Sequence, residues 1–309
     1  MDAVLLAGLF AAGIRLAMSI GLAALGEVVA QRSGMINVGI EGIMLVGAFL
    51  AAWGALLTGS PWGGLALALA GGLLLGGLQA WFTLVLRTDQ IVTGIAFVIL
   101  GLGLSSFLFR LSFGTSPSSL PVFRPLTLGP LTDIPVIGPA LFGQNALVYL
   151  GVLMTALIAF VLKRTSLGLA IRACGENPDA AHAAGISVNR VRFACLCFGG
   201  LMAGFGGAYL AIAQINSFVE NLVAGRGFIA IACVVFGRWN PMGALLAALG
   251  FGLAEAAQIR LQTWYPSIPY QFFVMTPYVL AIAALALMAR HAAMPRYLGK
   301  PFELERKSR

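Results

Sequence analysis

Three ionisable residues, Arg15, Glu41 and Glu255, lie inside long apolar runs and are the first candidates for chemistry. An ionised side chain at bilayer depth costs at least about 2.5–3.5 kcal/mol unless it is paired or hydrated, so each is expected to face the interior of a bundle. Counting along the runs from their cation-bearing ends places Arg15 ~22 Å deep, Glu255 ~20 Å and Glu41 ~9 Å. The matched depths of Arg15 and Glu255 predict an ion pair between the two halves of the chain. Asn37 and Glu41 are four apart and would share a helix face. They could line a polar path or bond across to a neighbouring helix, and a position near one end of the run favours the structural role.

Other reactive types are sparse. Glu41 and Glu255 are the only deep acids away from span ends, which gives a proton- or ion-coupled carrier little to work with. His182 and His291 fall in hydrophilic stretches and read as solvated. Of the cysteines Cys174, Cys195, Cys197 and Cys233, the middle two are two apart in a helix and point to nearly opposite faces, so they cannot grip one metal. No His, Cys or Asp cluster shares a depth, so neither a metal, a cofactor nor an intramembrane catalytic centre is expected. Gly299-Lys300-Pro301 lacks the glycine spacing of a phosphate-cradling loop, so any ATP hydrolysis would belong to another polypeptide.

The elements that must position these residues are helices in a membrane. Of 309 residues 60% are hydrophobic and 10% charged, against about 25% charged in soluble domains. The apolar residues come in runs of helix-spanning length, not in short alternating strands, so an all-α polytopic bundle is expected. Candidate spans are Val4 to Ala30, Met35 to Leu57, Gly63 to Leu86, Ile91 to Phe113, Ala146 to Leu162, Phe193 to Ile215, Leu222 to Phe236, Met242 to Ile259 and Phe272 to Ala289. The seventh is short and opens with Gly225 and Gly227, which suggests a broken or re-entrant helix. Met1-Asp2-Ala3 has no cationic stretch and the run after it is too long for a signal peptide, so it reads as the first span.

Arg32, Arg87, the stretch from Lys163 to Arg192, Arg238 and the tail from Arg290 fall on one side of this layout. Cation bias makes that side cytoplasmic and the N-terminus external, for about nine spans. The net charge of +8 is therefore a topology signal, and nucleic acid is not an expected partner. Residues 1–292 form the transmembrane domain, with an external loop at 114–145, a cytoplasmic loop at 163–192 and a basic cytoplasmic tail at 293–309. Trp53, Trp62, Trp81, Trp239 and Trp264 mostly fall near span ends and read as anchors at the lipid interface.

The cytoplasmic loop carries its own helix signals. Asn177 is a good N-cap, Pro178 suits the first helical position and Asp179 complements the dipole there. Ala180 and Ala181 favour helix, and Gly185 is a natural stop before Ile186. A short small-faced helix held between two spans suits docking into a groove on another protein, and an ordinary capped loop helix fits the same spacing equally well.

Gly175-Glu176-Asn177-Pro178-Asp179-Ala180-Ala181 followed by Gly185-Ile186 resembles the coupling loop of the branched-chain amino acid, ribose and nucleoside class of ABC importer permeases. Gly34-Met35-Ile36-Asn37-Val38-Gly39-Ile40-Glu41-Gly42 resembles the second-helix signature of its simple-sugar and nucleoside branch. The block from Gly225-Arg226-Gly227-Phe228 to Gly237-Arg238-Trp239-Asn240-Pro241 is similar to that family's segment after the coupling loop. The resemblance implies a type II importer bundle in the bacterial inner membrane, surrounded by membrane lipid. Its implied partners are an ATP-binding cassette ATPase at the coupling loop, a second permease subunit, usually a different one, and an extracytoplasmic solute-binding protein. Ribose-transporting relatives carry an extra N-terminal helix, and this chain begins at what looks like their second. The implied solute is a nucleoside or simple sugar. A secondary transporter or channel working without an ATPase is the alternative.

Overall fold

A computed structural model describes residues 2–113, 120–126, 138–264 and 294–302, with isolated positions between 269 and 279. Its helices are α1 (Asp2–Arg32), α2 (Ile40–Thr58), α3 (Pro61–Leu84), α4 (Gln90–Phe113), α5 (Ala146–Arg164), α6 (Ser166–Glu176), α7 (Pro178–Ala183), α8 (Val188–Tyr209), α9 (Arg226–Phe236) and α10 (Pro241–Trp264). Among the described residues there is no strand, only an isolated bridge between Pro125 and Asn145. Among the described residues seven helices are long and apolar enough to cross a membrane: α1 to α5, α8 with its π-helical extension to Gln214, and α10. They coincide with seven of the expected runs. The run from Leu222 to Phe236 yields only the 11-residue α9, and most of Phe272 to Ala289 lies outside the described residues, as does most of the 114–145 loop.

α8 forms the centre. Its span is 83% buried, against 22% for α10, and it packs on α1, α2 and α3. Glycine makes the approach close: a Cβ at Gly76 would stand 2.9 Å from the Cα of Gly200, and one at Gly47 2.7 Å from the Cα of Gly204. Small residues let helix backbones meet where lipid supplies no hydrophobic drive. α4, α5 and α10 form the shell and leave Ile99, Phe107, Leu153, Phe160 and Leu246 exposed, as a lipid-facing surface requires.

The connections sort to two ends. At one end the turn at Gly34 meets the last described residues, with Gly299 N–H donating to Gly34 O at 2.9 Å and Tyr297 N–H to Gly175 O at 2.9 Å. Ile36 N–H reaches Gln90 Oε1 at 2.9 Å, and Arg32 Nε reaches Trp239 O at 2.7 Å. That end therefore gathers the 33–39, 85–90, 163–192, 237–241 and 294–302 segments. At the other end Phe123 N–H donates to Ile212 O at 2.9 Å, Asn145 Nδ2 donates to Ala213 O at 3.2 Å, and Trp62 stacks edge-on against Phe123. The π-helical turn Leu210–Gln214 thus has its carbonyls taken by the segments that close over it.

Candidate functional site

At the cation-rich end, two helices occupy the loop where the sequence suggested one. Thr165 caps α6, accepting from Gly168 N–H at 3.2 Å, and Asn177 caps α7, accepting from Ala180 N–H at 3.0 Å. Pro178 holds the first position of α7, with Asp179 beside it. Gly185 turns the chain out at φ +83, a left-handed angle that favours glycine, while Ile186 N–H closes on Ala181 O at 3.0 Å. Cys174, Ala181 and Val188 form a small core with Ile186 and Phe302 around it, and burial pushes the Cys174 thiol up from its ordinary range. Glu176, Asn177, Asp179, Ala180, Ala183 and Ala184 are left exposed. The elbow is thus a rigid knob with a small, polar outer face.

One residue fixes that knob to the bundle. The fully buried Arg192 donates from Nε to Ser33 O at 3.1 Å, from Nη1 to Lys300 O at 3.0 Å and from Nη2 to Cys174 O at 3.3 Å. A single guanidinium therefore ties the α1–α2 turn, the end of α6 and the 294–302 segment to α8. Gly175 lies so close to the backbone of Arg32 that a side chain there would collide with the Arg32 carbonyl.

Deeper in the bundle, carboxylates organise α9. Glu41 accepts from Gly225 N–H and from Gly227 N–H, each at 2.7 Å, so its two oxygens cap the helix where orphan N–H groups and the dipole favour negative charge. Between them Arg226 turns the other way, and its Nη2 pairs with Glu255 Oε1 at 2.7 Å, the two side chains being 17% and 25% exposed. The chain reaches this point through a non-helical stretch that starts at Phe218, whose ring packs edge-on to Phe49, and passes Asn221 and Ala224 at φ +57 and +49. Glu41 and Phe49 are separated by about 12 Å along α2, and α9 adds about 16 Å.

Glu27 forms a third polar centre. It is fully buried, and its Oε1 accepts from Gln31 Nε2 at 2.8 Å and from Asn37 N–H at 3.1 Å. Gln31 Oε1 in turn accepts from Trp239 Nε1 at 2.6 Å. The side chains of Asn37 and Gln79 lie buried nearby without a hydrogen bond among the described residues.

Residues 9–288 match the family described as branched-chain amino acid transport system / permease component. The chain belongs to this permease family. The permease is 37% identical to the guanosine ABC transporter permease protein NupQ of Bacillus subtilis, over 91% of this chain and 92% of that one. It is 36% identical to the putative glucose ABC transporter permease protein TsgC13 of Haloferax volcanii, covering 83% and 78%. It is also 36% identical to the nucleoside ABC transporter permease protein NupC of Lactococcus lactis, covering 88% and 89%. No solved structure matches the chain. The seven long apolar helices make the permease a multi-pass membrane protein.

Several sequence expectations need correction. Glu255 pairs with Arg226, not with Arg15, because depth alone does not fix which face a residue presents. Asn37 is not on α2, which begins at Ile40; it sits in a turn folded back on Glu27. It therefore shares no helix face with Glu41, which is committed to α9. Glu27, near the end of the first run, is fully buried beneath the turn that carries Asn37. Trp239 is buried at 3% exposure and donates to Gln31, so it is no interfacial anchor. The fixing role of Arg192 was also missed, although the apolar residues following it mark a cation at the mouth of a span.

Proposed function

We propose that the permease forms half of the translocation pathway of an ATP-driven importer for nucleosides. The observation that carries this reading is the pairing of two features. One is a rigid, small-faced knob, α6–α7, clamped between two long helices by Arg192; the other is the likeness, over about nine-tenths of the chain, to permeases named for guanosine and nucleosides. An ATP-binding cassette ATPase would seat on the exposed face of Asp179, Ala180 and Ala183. The cation-rich end would be cytoplasmic, with the N-terminus outside. In that layout the Leu222-to-Phe236 run counts as one crossing, and Phe272 to Ala289 supplies the ninth. A second permease subunit, different from this one, would complete the pore, and an extracytoplasmic binding protein would deliver the solute. The partly exposed Arg226–Glu255 pair at membrane depth supports a water-bearing path along α9 and α10, since such a pair would be costly against lipid.

The glucose-named relative at 36% identity favours a second reading, with a simple sugar as solute. The test is uptake by proteoliposomes holding the permease, its companion subunit, its ATPase and its binding protein. Radiolabelled guanosine should accumulate only with ATP, and Ala180→Arg on the outer face of α7 should abolish ATPase co-purification and uptake together. Glucose uptake without guanosine uptake would favour the sugar reading. Equal uptake with nucleotide withheld would overturn both in favour of a carrier or channel.

A further inference from the structure

Two cavities meet at the junction of α5 and α6. The first, about 400 Å³, is lined by Arg32, Lys163, Arg172 and Arg238 together with Trp239 and Asn240, and no carboxylate lines it. The second, about 320 Å³, is an apolar groove between α5 and α8 with Met154, Leu157, Ile158, Ile171 and Phe198 among its walls, and no charged residue lines it. Leu162 lines both.

The same arrangement repeats on three helices: an apolar residue in the groove is followed, within one turn, by a cation in the first cavity. The pairs are Val29 and Arg32 on α1, Leu162 and Lys163 on α5, and Ile171 and Arg172 on α6. On α1 and α5 the cation is the member nearer the loop end of the bundle. From Leu162 to Met154 the groove runs about 12 Å along α5, most of the ~15 Å that one leaflet contributes to the hydrocarbon core. Leu157, on its wall, is 49% exposed, so the groove opens sideways.

The cationic cavity is built, not incidental. Arg32 is oriented by its bond to Trp239 O at 2.7 Å, and Arg172 by a bond from Nε to Gly168 O at 3.3 Å. Arg32 also donates from Nη2 to Arg238 O at 3.4 Å and feels the nearby Glu176 carboxylate, and among the described residues the Nη1 groups of both arginines make no hydrogen bond. The turn that carries Arg238 holds two successive non-glycine residues, Arg238 and Trp239, at φ +53 and +54. Left-handed backbone of that kind persists only where its surroundings impose it and gathers at functional places.

We propose that the permease holds an anionic phospholipid here, its phosphate among Arg32, Lys163, Arg172 and Arg238 and one acyl chain in the α5–α8 groove. Guanidinium forks match phosphate oxygens, and the apolar groove selects an amphiphile over a soluble anion. Because the lipid touches α1, α5, α6 and the α9–α10 turn at once, it would bridge the knob to the helix that carries the Arg226–Glu255 pair. The inference stands apart from the solute reading and needs only that the long helices lie in a bilayer.

The test uses the full transporter in nanodiscs of phosphatidylcholine doped with phosphatidylglycerol, with retained lipid counted by native mass spectrometry after extraction. Phosphatidylglycerol should be retained preferentially. The double variant Lys163→Gln/Arg172→Gln should weaken its retention roughly tenfold or more. Ala194→Phe, which fills the groove and leaves every cation in place, should also lower retention of phosphatidylglycerol while leaving inorganic phosphate binding unchanged. Arg190→Gln, an exposed cation outside both cavities, should retain it as the parent does. Equal retention of phosphatidylcholine, or an Arg190→Gln effect as large as the double variant's, would overturn the proposal. So would an Ala194→Phe variant that binds phosphatidylglycerol normally, since that result would leave only a phosphate or acidic-side-chain site.

Discussion

Arg192 and Glu41 are both buried charged residues satisfied by backbone groups, yet they hold the molecule in different ways. Arg192 donates to carbonyls of three separate segments, at Ser33, Cys174 and Lys300. Glu41 accepts two N–H groups of a single short helix, at Gly225 and Gly227. The first arrangement is a lock, because no segment can move without stranding a polar group. The second is a cap, because both acceptor oxygens serve one helix end, beside the Arg226–Glu255 pair. The difference ties three segments together at the α6–α7 end and only one helix at Glu41.

The largest effect should come from breaking the lock. Arg192→Ala strands the buried carbonyls of Ser33 and Cys174, each worth about 1–3 kcal/mol when unsatisfied, and frees the part-buried one of Lys300, so the variant should lose at least ~2 kcal/mol and fail to assemble at ordinary yield. Arg192→Lys should recover only part of this, because an ammonium is one compact centre where three directions are needed. Equal thermal midpoints for Arg192→Ala and the parent in detergent would show that the knob is held by something else.

Breaking the cap should cost less. Glu41→Gln turns one acceptor oxygen into an amide that faces an N–H donor, a loss of about 1–3 kcal/mol. The expected signature is selective, with solute uptake falling sharply while ATPase co-purification persists. Parallel loss of both would mean that Glu41 is part of the rigid frame, and the distinction between the regions would fail.

The smallest effect belongs to a carboxylate with a partner but no burial. Arg110 pairs with Glu220 at 2.8 Å with both side chains largely exposed, and the guanidinium holds the Glu220 carboxyl below its usual 4.5. A depressed carboxyl stabilises the fold fully above that value and loses the contribution as pH falls through the lowered one. Glu220→Gln should therefore lower the thermal midpoint slightly at neutral pH, with the gap closing in strong acid and in high salt. A gap that persists in either condition would mean that exposure does not separate this pair from the buried groups.

Much of this could be read from the sequence wherever a signal was one-dimensional. Long apolar runs gave the seven long helices, and Asn177-Pro178 with Gly185 gave the cap, first turn and exit of α7. What was lost needed a second dimension. Depth brought Arg15 and Glu255 level, but only the facing of α9 and α10 shows that Arg226 is the partner. Glu27 and Asn37 are ten residues apart and meet at 3.1 Å because Gly34, at φ +93, turns the chain back on itself. α6 falls inside the 163–192 loop, where the residue pattern points to a single helix at Asn177-Pro178, although Thr165 is equally a cap residue.

The Lys300 carbonyl that Arg192 engages lies 108 residues further along the chain. During synthesis the guanidinium must therefore enter its place with one acceptor not yet made, and the last described residues close the assembly when they emerge. The 294–302 segment works as a keystone laid after the arch, so a nascent chain stalled short of Lys300 would leave the Arg192 guanidinium one acceptor short.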